Sequence, residues 1–177
     1  MTTRPRESDH GARGASDDVV TRYEAPGFII TEWKNVSIVV WGTQATIPLV
    51  NKLRETGAAF IGRHPEGISA VHIIASGVPL PDSATRAELN RLTDVLAQNL
   101  ACIATVLEGS GFWASAMHSF VTGIQWVSSR RPFKSKIGST LADAAGFVPT
   151  PHQERTHVRV GSTELLRALT TARERVR

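Results

Sequence analysis

Apolar and polar positions along this chain alternate with periods that change several times, and each change marks an element. In "PGFIITEWKNVSIVVWG" two β-rich runs, Ile29 to Trp33 and Val36 to Trp41, are joined by Lys34-Asn35, a pair suited to a hairpin turn. In "TQATIPLVNKLRETGAAFIG" the spacing of Ile47, Val50, Leu53, Phe60 and Ile61 becomes helical, with Thr46 as cap and Pro48 in the tolerant first turn. "ISAVHIIASG" is nearly continuous and β-branched, which predicts a strand covered on both faces. After Pro81, the pattern Ala84, Leu89, Leu92 and Val95 or Leu96 sets an apolar stripe against Arg86, Asn90, Arg91 and Asp94, an amphipathic helix of about four turns. "LACIATVLEG" reads as a second buried strand. Trp113, Met117, Phe120, Ile124 and Val127 mark another helix. Phe133 to Ile137 reads as a short strand, and "TLADAAGFV" as a short helix with a threonine cap.

The two ends read differently. Residues 1–24 are polar, charged and rich in Gly, Ser and Asp, and predict a disordered tail. At the other end, the prolines of "PTPHQERTHVRVGS" argue for a loop. "STELLRALTTARERVR" then predicts an amphipathic helix capped by Ser162 or Thr163, with Leu165, Leu166, Leu169 and Ala172 on its apolar side. The chain divides into this tail, an α/β domain over 25–148, and a loop with a C-terminal helix over 149–177. The order β-β-α-β-α-β-α-β-α, plus that last helix, predicts a mostly parallel central sheet with helices packed against it.

Composition narrows the classes. The 177 residues suffice for one full core, and 41% hydrophobic with 20% charged residues is ordinary for a globular domain. No apolar run approaches the roughly 20 residues of a membrane span, and the N-terminus lacks the apolar centre of a secretory leader. A single cysteine, Cys102, excludes an internal disulfide framework and sits in an apolar run as a small buried hydrophobe. These features suit a bacterial-type cytoplasm. The net charge is +4, but the basic residues are scattered. The tightest groups, Arg130, Arg131, Lys134 and Lys136 and the terminal "RERVR", carry no interleaved aromatics, so nucleic acid is not the expected partner.

No complete catalytic constellation appears. "HQERTH" spaces His152 and His157 by five, whereas a zinc-protease helix needs His-Glu-x-x-His at four, and no third ligand is evident. "EGSGF", from Glu108 to Phe112, lacks the dinucleotide fingerprint, the phosphate-loop lysine and the nucleophile elbow, and reads as a tight turn. His72 reads as a satisfied strand residue. His118 shares a polar helix side with Ser115, Ser119 and Thr122 but has no acid beside it. Trp126, next to Arg130 and Arg131, suits a protein contact.

The segment "IIASGVPLPDSATRAEL" carries the most specific signal. Ser76-Gly77-Val78 follows a strand, and Asp82-Ser83 opens a helix. Asp82 or Ser83 can accept a hydrogen bond from a first-turn amide, and Thr85 with Glu88 also matches a capping box. This spacing resembles the STAS family, shared by anti-sigma-factor antagonists and sulfate-transporter tails, and its SpoIIAA-like relatives. The resemblance covers residues 28 to 148. It implies a STAS-like fold and a non-catalytic cytoplasmic regulatory role through protein contact, without cofactor or metal.

By that resemblance, Ser83 stands where a partner kinase phosphorylates the antagonists. Ser76, Gly77, Val78, Asp82, Ser83 and Thr85 form the expected interaction loop. Ala75 and Thr85 depart from the family's strand-end aspartate and its glycine. The expected partner is a protein, a kinase or anti-sigma-like regulator, or a second copy of the chain. The alternative is a binder of a small apolar or lipid-like ligand between helices and sheet, and an enzyme comes third. A ligand binder needs a deep apolar pocket. A regulatory module needs an exposed Ser83 loop, and an enzyme needs titratable groups gathered in a cleft.

Overall fold

A computed structural model describes residues 18–126 and 132–176, without the side chains of residues 124–126. Six strands form one sheet in sequence order: β1 (Val20–Ala25), β2 (Phe28–Trp33), β3 (Val36–Trp41), β4 (Ile68–Ile74), β5 (Leu100–Leu107) and β6 (Lys134–Gly138). The first three pair antiparallel, and β3 to β6 pair parallel. The sheet is therefore mixed but mostly parallel, and helices cover both faces. Lys34, at φ 51, makes the β2–β3 turn where the pattern placed it.

Three crossover helices, α1 (Ile47–Arg63), α2 (Ser83–Leu96) and α3 (Gly111–Trp126), link the parallel strands. Strand order advances one way without reversal, so crossovers of one hand deliver all three helices to one face. There Phe28, Ile30, Val39 and Trp41 meet Val50, Leu53 and Leu92, while Leu107 meets Met117 and Val121. The opposite face would stay bare without the C-terminal elements α4 (Leu141–Phe147), α5 (Pro149–Thr156) and α6 (Ser162–Glu174). Ala144, Ala145, Leu165, Ala168, Leu169 and Ala172 from these helices pack on Ile38, Val40, Val71, Ile73, Cys102 and Val106. The last helix thus closes the domain's own core.

Three expectations are corrected. The tail predicted over 1–24 ends early: Val20–Ala25 is edge strand β1, paired to β2, with exposed and half-buried residues alternating. An edge strand leaves half its side chains in water, so its composition stays polar while its backbone is paired. Residues 1–17 lie outside the described residues, as do Arg130 and Arg131 and the side chain of Trp126, so the expected contact there is not described.

The predicted loop at 149–156 is helix α5. Pro149 and Pro151 occupy its first turn, where backbone amides have no intrahelical partner to lose. Helix α6 is capped by Gly161 rather than by Ser162 or Thr163, and no side-chain bond closes it. By contrast, Thr140 caps α4 in a full capping box with Asp143. No described helix is long and apolar enough to cross a membrane.

Candidate functional site

Residues 75–82 connect the end of β4 to α2. Asp82 is the N-cap: its Oδ1 accepts from the Thr85 amide at 2.7 Å, and this bond first of all holds its carboxyl below the usual carboxylate range. Such a cap satisfies one of the first-turn amides that have no partner within the helix. Thr85 and Glu88 do not form the alternative capping box, because Glu88 pairs with Arg54 and Arg91. Ser76, Gly77, Asp82 and Ser83 are exposed, whereas Val78 and Thr85 are buried. Thr85 takes the inward place that the periodicity assigned to Ala84, which is exposed, as is Val95.

The loop is tied by two hydrogen bonds and closely approached at a third point. The Val78 carbonyl accepts from Trp113 Nε1 at 2.8 Å, and the Leu80 carbonyl accepts from Gln44 Nε2 at 2.6 Å. Gly109, at φ +109, lies so close to Ser76 that an added Cβ would sit 2.5 Å from its Oγ. "EGSGF" is thus the tight turn its glycines predicted, shaped by the neighbouring loop.

Below this loop lies a cavity of about 120 Å³ on the crossover face, open on one side. Its floor is the sheet, at His72, Ile103, Thr105 and Ser135; its walls are α2 and α3; its rim is the loop, through Val78, Pro79 and Pro81. The space exists because the floor is low. In-register pairing sets His72 beside Thr105, and Ile103 between Ala70 and Ser135, so short or polar side chains recur across the strands. Leu89, Met117, Phe120 and Val121 close over them without filling the gap.

The electrostatics of the cavity are set by one ring. Trp41 Nε1 donates to His72 Nδ1 at 3.1 Å, and the two rings stack at 16° with centroids 6.3 Å apart. An indole N–H can only donate, so Nδ1 must accept and the imidazole proton resides on Nε2. Burial pushes the pKa of His72 down to about 4, which keeps the ring neutral at pH 7. No charged side chain of the described residues lines the cavity.

A second polar group is fully enclosed on the other face. Cys102 Sγ donates to Ser69 Oγ at 3.2 Å, and Ser69 Oγ meets His152 Nδ1 at 2.7 Å. His152 Nε2 meets Asn35 Oδ1 at 2.8 Å, and Asn35 Nδ2 donates to the Gly67 carbonyl at 3.1 Å. The four side chains are at most 2% exposed, so this serine–histidine–asparagine chain is sealed from any substrate. Burial lowers His152 to about 4 and raises the Cys102 thiol to about 11, so both remain neutral.

His152 and His157 do not share one role. The first is in the core, and the second is the left-handed C-cap of α5 at φ 59. His118 contacts Thr122 at 3.3 Å on the exposed side of α3.

Sequence reasoning placed the loop and its cap but missed Trp41, His72 and Thr105 as one constellation. A signal was present. His72 and Thr105 are each a polar residue two places before the end of a mostly apolar strand. Parallel strands paired at their ends bring such positions side by side. No family model matches this chain, and no curated protein matches it significantly.

Proposed function

We propose that this chain is a non-catalytic binding module that takes a small, largely apolar ligand between sheet and helices. The observation that carries this reading is the apolar cavity under the 75–82 loop, with one histidine held neutral in its floor. An engineered apolar cavity of about 150 Å³ binds benzene, so a space of this size suits a ring or a short acyl chain. A larger ligand could extend through the open side. Proton-transfer chemistry calls for paired titratable groups, and His72 is the one histidine or charged residue among the described lining residues.

Titration with benzene, followed by methyl NMR, tests the reading. The methyls of Ile74, Val78, Ile103 and Val121 shift saturably, with a dissociation constant on the order of 1 mM, or about −4 kcal/mol. A Leu89→Trp variant, which fills the cavity, abolishes the response. Shifts that never saturate, or that survive Leu89→Trp, count against the cavity as a binding site.

A second reading, from the STAS resemblance, is a cytoplasmic regulatory module that contacts a protein through Ser76, Gly77, Asp82 and Ser83. Its support is the exposure of Ser83 at the first position of α2, on the loop that also rims the cavity. A phosphate there would face the positive end of the helix, beside an Asp82 carboxylate that already holds the Thr85 amide. Intact-mass and peptide mapping of protein from its native cells should locate a phosphate on Ser83. Wholly unmodified Ser83 across growth conditions would remove the phosphorylated switch.

A further inference from the structure

We propose that the ligand of this cavity is uncharged and presents a hydrogen-bond-accepting oxygen, a carbonyl above all, to His72 and Thr105. The proposal rests on the cavity being the binding site and adds the chemistry of what binds.

Two residues with donor groups lie side by side in the cavity floor. The Trp41 indole takes His72 Nδ1 and leaves the Nε2–H as the ring's free donor. Thr105 is 5% exposed and lines the same cavity, so its hydroxyl is a donor within reach of a ligand there. A hydroxyl that lines a largely apolar cavity is poised to pair with a polar atom of a ligand. His72 and Thr105 face each other in register on adjacent parallel strands, which run about 4.8 Å apart. A carbonyl oxygen has two lone pairs, so one such atom between the two side chains satisfies both donors at once.

Charge is selected against. The described lining residues include no Lys or Arg to neutralise a carboxylate and no Asp or Glu to receive an amine. An unpaired charge taken from water into an apolar site is strongly disfavoured. The rest of the wall is aliphatic or aromatic, from Ile74, Val78, Leu89, Met117 and Val121, and asks only for hydrocarbon. The matching class is a neutral ketone, aldehyde, ester or lactone with a compact apolar body.

Three probes of similar size separate these requirements: acetophenone, isopropylbenzene and benzoate. Affinities are read by NMR titration at pH 7 on the wild type and on Thr105→Val, which keeps shape and removes the hydroxyl. Acetophenone is expected to lose about five- to tenfold in affinity in Thr105→Val, the worth of one hydrogen bond. Isopropylbenzene should hold or gain, and benzoate should show no saturable binding. The His72 Nε2 resonance should move with acetophenone and not with isopropylbenzene.

Equal effects of the variant on both neutral probes would overturn the acceptor requirement and leave the apolar cavity standing. Benzoate binding as tightly as acetophenone would overturn the requirement for neutrality. If no probe binds the wild type, both this proposal and the cavity reading fall.

Discussion

Replacing His152 with alanine should lower the stability of the fold by about 3–5 kcal/mol, the largest effect expected of any polar substitution in this chain. The imidazole is 0% exposed and bridges two other buried groups, Ser69 at 2.7 Å and Asn35 at 2.8 Å. Truncation leaves the Ser69 hydroxyl and the Asn35 carbonyl without that partner, and it opens a void where α5 meets the sheet. Ser69→Ala should cost less, about 1 kcal/mol, because it removes a small group and little volume. Urea denaturation of both variants checks the order and the size. A His152→Ala loss below 1 kcal/mol would falsify the view that this network anchors α5.

The same residue makes the fold sensitive to mild acid. His152 has an ordinary pKa of 6.5 when unfolded and about 4 in the fold, because burial disfavours its charged form. Above pH 6.5 neither state binds the proton, and stability does not depend on this group. Between pH 6.5 and 4 the unfolded chain binds the proton and the native one does not, so stability falls as pH falls. The slope approaches about 1.4 kcal/mol per pH unit, and the total for His152 is about 3 kcal/mol.

His72, lowered in the same direction by burial, adds to the loss over the same window. The shifted carboxylates Glu66, Asp82, Glu88, Asp143 and Glu164 are all lowered from their ordinary values, so they do not imitate this early phase. Urea midpoints measured from pH 7.5 to 5 should decline steadily below about 6.5. A flat profile down to pH 5 is the contrary result.

Much of the domain was legible from local pattern. The Lys34-Asn35 turn, the succession of strands and helices from Phe28 to Phe147, and the helix start close to Asp82 and Ser83 all depend on interactions within a few residues. Their chemistry appears in the sequence as spacing. The burial of Cys102 was legible too, since an apolar strand carries it inward whatever surrounds it. Edge strand β1 and helix α5 were not. The first is held by backbone pairing to β2, and the second by the burial of Pro151, His152 and Thr156 and by the bonds of His152 to Ser69 and Asn35. Neither leaves a strong apolar period of its own.

The candidate site divides in the same way. Periodicity and turn chemistry alone determined that a strand ends near Ala75, that a loop with two prolines follows, and that a helix starts close to Asp82 and Ser83. They also determined that the chain would build an α/β sheet. Tertiary structure decided that His72 and Thr105 would be neighbours, that Trp41 would orient the imidazole, and that α2 and α3 would stand over a gap. It also sealed Ser69, His152 and Asn35 into one core network across 117 residues of sequence. Local signals act over one turn or one strand. Pairing register and the stand-off of a helix from a sheet are set by contacts between distant segments, and no short stretch of sequence contains both partners.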